Sequence, residues 1–223
     1  MSSHVLRDLS VRGVLMASIV VACAAPSLAA LESSSPFPGL ELVDSKNVDK
    51  LYRRPDVDAS AYAKVLIGEP VVEFSKNWNP RNYGSFGISA SQLNKIRTDL
   101  AALAKSTFAK VLGDGGYEIV TEAGDGVLAV TPNIVNLYIS APDIPTAGRS
   151  KTYVMDAGSM TLVLPVSDAV TGTLLAVAYD HQRAGQSATL RWATSVSNRA
   201  AAEATLKGWA EQLRRELDAA RGK

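Results

Sequence analysis

Beyond its first dozen residues the chain has one histidine, His181, standing beside Asp180. A base next to a carboxylate is two-thirds of a Ser-His-Asp relay, yet no serine sits in a G-x-S-x-G turn that would expose it as a nucleophile. Asp143, Asp156, Asp168 and Asp180 could in principle pair for acid–base work. All four fall at expected strand ends or turns, where aspartate is favoured because it hydrogen-bonds nearby backbone. Structural zinc takes about four Cys or His ligands, and the chain has one cysteine and two histidines. The runs GDGG (Gly113–Gly116) and GDG (Gly124–Gly126) lack the alternating carboxylates of a calcium loop, and no glycine-rich phosphate loop is present. The residue chemistry therefore predicts no catalytic, cofactor-binding or metal-binding group, and a protein that is not an enzyme.

Two loops could carry contacts instead. The stretch from Ala141 to Gly158 is long for a connection between strands and holds Asp143, Arg149, Lys151 and Tyr153, which suits an interaction loop. Trp78, Tyr83 and Phe86 lie in a polar, aromatic stretch, Ser75–Gly87, that could also meet a partner.

The N-terminus reads as an export leader. Arg7 and Arg12 precede an uncharged, apolar run from Gly13 to Ala25, and Pro26 with small residues follows. The run falls short of the roughly 20 apolar residues of a membrane span. Two processing readings stand side by side. Ser27-Leu28-Ala29 suits ordinary signal-peptidase cleavage before Ala30. Val20-Val21-Ala22-Cys23 resembles a lipobox, in which Cys23 becomes the acylated first residue. Loss of Arg7, Arg12 and Asp8 with the leader turns 23 basic and 22 acidic residues into a balanced, neutral remainder. That remainder lacks the basic footprint of a nucleic-acid binder and cannot form an internal disulfide.

The chain divides into a leader (1–29), a Ser/Pro-rich tether (30–50) and one domain (51–223). In the domain, KVLIGEPVVEF (Lys64–Phe74) reads as an edge or bent strand because Pro70 cannot donate to a ladder. A helix starts at a serine cap, Ser89 or Ser91, places Leu93, Ile96, Leu100, Leu103 and Val111 near helical spacing, and stops at Gly113 and Gly115. Tyr117–Glu122 and Val127–Ser140 read as strands. Met160, Leu162, Leu164 and Val166 alternate along a strand, the turn Asp168–Gly172 follows, and a second strand carries Leu175, Val177 and Tyr179 on one side. A closing helix, Asn198–Arg221, repeats Leu206, Trp209, Leu213 and Leu217. The fold class expected is α+β: an antiparallel sheet of about four to six strands with two amphipathic helices packed on one face.

The segments YRRPDVDASAYAKVLIGEPVVEF (Tyr52–Phe74), NLYISAPD (Asn136–Asp143), AGSMTLVLPVSDAVTGTLLAVAYD (Ala157–Asp180) and WAEQLRREL resemble the bacterial domain of unknown function 3313 family. The likeness runs from Tyr52 to Leu217, and its most specific piece is the hairpin with DAVTG at its tip. Where relatives usually carry an acidic residue, this chain has Pro165. The resemblance implies an exported protein, often a lipoprotein, and brings no catalytic residue. It adds weight to lipidation of Cys23. Ala24 differs from the aspartate that signals inner-membrane retention, which points to the outer membrane. The expectation is a non-enzymatic, periplasm-facing lipoprotein that meets envelope proteins, or outer-membrane lipid through its acyl anchor, with no transmembrane helix in the mature chain. The alternative is a soluble periplasmic protein binding a small molecule between the sheet and the loop from Ala141 to Gly158. An enzyme using His181 with a neighbouring aspartate is the third reading.

Overall fold

The computed structural model describes residues 35–55, 57–82, 87–140, 153–154, 158–184, 191–192 and 195–222. Among them the elements run β1 (Glu41–Val43), β2 (Lys50–Arg53), β3 (Lys64–Ile67), β4 (Val72–Phe74), α1 (Ala90–Asp114), β5 (Glu118–Val120), β6 (Val127–Val130), β7 (Asn133–Ile139), β8 (Tyr153–Val154), β9 (Gly158–Asp168), β10 (Leu174–Ala184), β11 (Arg191–Trp192) and α2 (Ser195–Ala220). Nine strands form one sheet in the order β1-β2-β10-β9-β6-β3-β5, with β7 also on β9 and β4 on β7. β8 and β11 pair separately.

The class is α+β, as the pattern of elements predicts, but the sheet is larger than four to six strands and is mixed. β3 runs parallel to β5 and β6, and β4 runs parallel to β7. Helix α1 is the reason: it carries the chain from β4 across the sheet to β5, and a crossover of that length returns the next strand parallel. β3 also lies inside the sheet, between β5 and β6, rather than at an edge. Pro70 falls in the break between β3 and β4, where no ladder bond is asked of it.

β9 carries both halves of the sheet. Its inward residues Met160, Leu162, Leu164 and Val166 are buried against the helices, each contributing roughly 1.5–3 kcal/mol. β10 pairs along one edge of β9, and β6 and β7 share the other. β6 ends opposite Val166 and β7 begins opposite Val163, so the ladder is interrupted beside Pro165. The Pro165 carbonyl accepts from the Thr131 amide at 3.2 Å in that gap. In an extended strand a residue's N–H and C=O lie on the same edge, so the N–H that proline lacks would have pointed into the interruption.

Local chemistry fixes the helix ends and two irregularities. Ser89 caps α1 in a capping box with Gln92, which relieves two unpaired amide donors. α1 and α2 pack on each other, α1 also on β3, β4 and β5, and α2 on β10. Leu100, Leu103, Phe108, Leu112, Leu206 and Trp209 meet the inward face of the sheet in one core. In β10 a bulge at Leu175 turns that side chain into this core, whereas Val177 and Tyr179 stay on the open face. In β7 Asn136 takes φ +52° where the pairing shifts between Val135 and Tyr138. The extra residue keeps both Ile134 and Leu137 buried, and asparagine tolerates the left-handed region better than branched residues do.

The segment 30–50, expected to be a tether, is folded onto the sheet from Ser35 onward. β1 pairs with β2 and β2 with β10, and Leu40 is buried. Phe37 rests edge-on against Tyr52 at 5.4 Å between ring centroids and stacks on Tyr179 at 6.3 Å. Arg54 fastens this arm: its Nε donates to the Leu174 carbonyl at 2.9 Å and its Nη2 to that of Pro38 at 3.4 Å.

Asn136→Val places a branched side chain at positive φ and should cost about 1–2 kcal/mol, whereas Asn136→Gly should change stability by less than about 0.5 kcal/mol. Urea denaturation of the two variants reads the difference.

Candidate functional site

Two of the aspartates that sequence singled out sit in separate hydrogen-bonded centres on the β9–β10 hairpin, Asp180 towards its open end and Asp168 at its tip. Asp180 is 4% exposed, a buried carboxylate among apolar neighbours. Such a charge is tolerable only when its oxygens are paired. Oδ2 accepts from Trp209 Nε1 at 2.7 Å and from Gln182 Nε2 at 2.8 Å, and Oδ1 accepts from the Asp49 amide at 3.3 Å. Asp49 reciprocates: its Oδ2 accepts from the His181 amide at 2.9 Å. The knot joins β10, the start of β2 and α2, and Asn47 Nδ2 extends it to Glu216 of α2 at 3.1 Å.

The His181 imidazole takes no part in this carboxylate pocket. Successive residues of a strand point to opposite faces, so Asp180 turns towards the helices and the imidazole towards the open face, where Nδ1 lies 3.0 Å from Thr161 Oγ1. The two neighbours in sequence do not form an Asp–His pair.

Asp168 organises the tip. Its Oδ1 accepts from the amides of Val170 (3.1 Å) and Thr171 (2.7 Å) and from the Thr171 hydroxyl (2.9 Å). Its Oδ2 accepts from Tyr62 Oη at 3.1 Å. The Thr171 amide, then its hydroxyl, hold the Asp168 carboxyl below its ordinary value, while burial and the adjacent Asp168 push Tyr62 up. Asp168 and Asp180 are separated by most of the hairpin, about 20 Å along the strand, too far for concerted acid–base work.

The remaining candidates fall differently. Cys23, Asp143, Arg149, Lys151, Asp156, Tyr83 and Phe86 lie outside the described residues. Tyr153 is in β8, in register with Trp192 of β11, which ties the connection after β7 to the one after β10. Trp78 is internal: it is buried, its Nε1 donates to the Ile139 carbonyl at 3.0 Å, and its ring stacks on Phe74 at 4.6 Å, with Arg97 also over the Phe74 ring. Among the described residues no three His, Cys, Asp or Glu side chains gather as metal ligands, and no helix is long and apolar enough to cross a membrane. Sequence reading missed Asp49 and Trp209 as the partners of Asp180. The signal available was that Trp209 stands on the apolar stripe of α2 with its N–H in need of an acceptor.

The profile of a family described as proteins of unknown function, DUF3313, matches residues 32–213. The chain belongs to the DUF3313 family. Its match begins ahead of β1, so the DUF3313 unit includes the arm as well as the sheet. No curated protein matches the chain. Solved structures similar to this DUF3313 chain include a PelC dodecamer from Paraburkholderia phytofirmans, at 10% identity over 71% of this chain and 94% of that one, TM-score 0.36. Others are protein XCC0632 from Xanthomonas campestris, at 12% identity over 69% and 82%, TM-score 0.36, and a minor lipoprotein from Acinetobacter baumannii, at 11% over 70% and 94%, TM-score 0.32. Identities near a tenth leave the DUF3313 site residues to be argued from this chain alone.

Trp209→Phe deletes a donor to a buried carboxylate and should destabilise by about 1–3 kcal/mol, whereas His181→Ala should stay within about 0.5 kcal/mol; urea denaturation separates them. Because the folded Asp168 carboxyl lies below its ordinary 3.8, its contribution to stability is present above that value and is lost as pH falls through the folded one. Asp168→Asn should remove this part of the acid dependence, read as a flatter stability profile between about pH 2 and 5.

Proposed function

We propose that this protein is a non-enzymatic component of the cell envelope, facing the periplasm, held to the outer membrane by an acylated Cys23 and acting on other envelope components through its sheet and loops. The observation that carries the reading is the sequence Val20-Val21-Ala22-Cys23 at the end of an export leader, twelve residues ahead of Ser35, where the arm enters the sheet. Two further features support it. The carboxylates Asp168 and Asp180 have their oxygens engaged in hydrogen bonds that hold the hairpin and α2 in place. The arm is fastened to the sheet by Phe37 and Arg54, so at most the stretch from Cys23 to Ser35 would separate an anchor from the folded domain.

The intact mass of the protein, purified from the membrane and soluble fractions of its native cells, tests the reading. The expected species is a chain starting at Cys23 with a diacyl or triacyl modification, in the membrane fraction, and Cys23→Ser should move the protein to the soluble fraction. An unmodified chain starting at Ala30 in the soluble fraction would overturn the anchor and favour a diffusible periplasmic binding protein.

A further inference from the structure

The open face of the sheet carries an apolar row that stops at an edge. Val177, Tyr52 and Leu42 are direct cross-strand neighbours on β10, β2 and β1. Val177 is 2% exposed, and Leu42, on the last strand, is 61% exposed. The charged residue of β1, Glu41, points to the opposite face and stands across from Arg53, so no charge closes the row at Leu42. Among the described residues no strand pairs with the outer edge of β1, which leaves its outward N–H and C=O groups open to an added strand.

We propose that two anchored copies of this chain pair through β1, antiparallel about a two-fold axis, with Leu42 of one copy opposite Leu42 of the other. The proposal rests on the lipid-anchored reading above. Strand β1 is self-complementary: antiparallel pairing centred on Leu42 sets each Glu41 against a Val43, so no like charges face one another. The row then continues as Val177, Tyr52 and Leu42 of one copy into Leu42, Tyr52 and Val177 of the second.

The geometry of the anchor agrees. The axis relating two antiparallel edge strands runs perpendicular to the sheet, so both copies turn the same face the same way. Phe37 lies on that face, against Tyr52 and Tyr179, so both arms lie on one side and the helices on the other. The twelve residues back to Cys23 can span up to about 40 Å, a reach that allows both anchors to enter one bilayer. Pairing of three residues is far below the area of a stable dimer in dilute solution. Confinement to one leaflet supplies the missing effective concentration, so the pair forms on the membrane and falls apart in solution.

Leu42→Cys tests the pairing in the anchored protein. The sulfur of acylated Cys23 is held in its lipid thioether, so the introduced thiol is the one free thiol in the chain. Facing residues of antiparallel strands have Cα atoms about 4.5–5.5 Å apart, within disulfide range. Val170→Cys, 59% exposed at the hairpin tip, is the control. After mild oxidation of membranes, Leu42→Cys should give about tenfold more disulfide-linked dimer than Val170→Cys, and adding Cys23→Ser should abolish that excess. Equal yields from the two cysteine variants, or an adduct between Leu42→Cys and a different protein, overturn the pairing. Intact mass of the same membranes separates the two ideas: an acylated chain without dimer overturns the pairing alone, and an unacylated chain overturns the anchor and the pairing together.

Discussion

The hydrogen-bonding edges of β9 are the constraint on which the rest of the molecule depends. One strand of eleven residues holds β10 along one side and β6 and β7 in succession along the other. Its inward face supplies four buried side chains to the core, and β3, β4 and β5 hang on it through β6 and β7. A one-residue shift of register in β9 would turn Met160, Leu162, Leu164 and Val166 to the open face and strip α1 and α2 of their support at the same time. The breaks in the sheet are arranged around this strand. Proline stands in β9 where its neighbours are interrupted, and the bulges at Leu175 and Asn136 re-aim single side chains without disturbing the ladder beyond them.

Much of this was legible in the sequence because it is written in local period. The alternation from Met160 to Val166, the Asp168 turn, the Ser89 cap and the stripe Leu206, Trp209, Leu213 and Leu217 each signal their element within a dozen residues. The parallel pairings were not legible, since nothing in KVLI states which strand it will lie beside. The arm was not legible either. Its strands are three and four residues long, too short to show a period, and Ser35, Pro36, Pro38 and Gly39 mask them with the composition of a linker. What orders the arm is distant in sequence: the rings of Tyr52 and Tyr179 and the guanidinium of Arg54.

The candidate chemistry shows the same division. That aspartates at strand ends would bind backbone was readable from residue type, and Asp168 does so. That Asp180 would be buried beneath α2 depended on strand parity and on a tryptophan 29 residues further along. Adjacency in sequence misleads in a strand, because Asp180 and His181 leave opposite sides of β10. Of the aspartates that suggest catalysis in the written sequence, Asp168 ties the hairpin tip to Tyr62 and Asp180 ties β10 to Trp209 of α2.

The arm also decides how the domain would meet mechanical load. A pull delivered from the N-terminal side of Ser35 reaches the ring of Phe37 first, then the Pro38 carbonyl gripped by Arg54, and only afterwards β1 and β2. The core strands are last in that line. A stretch that looks in the sequence like slack is thus held in the fold by contacts that a pull would meet one after another before it reached the core.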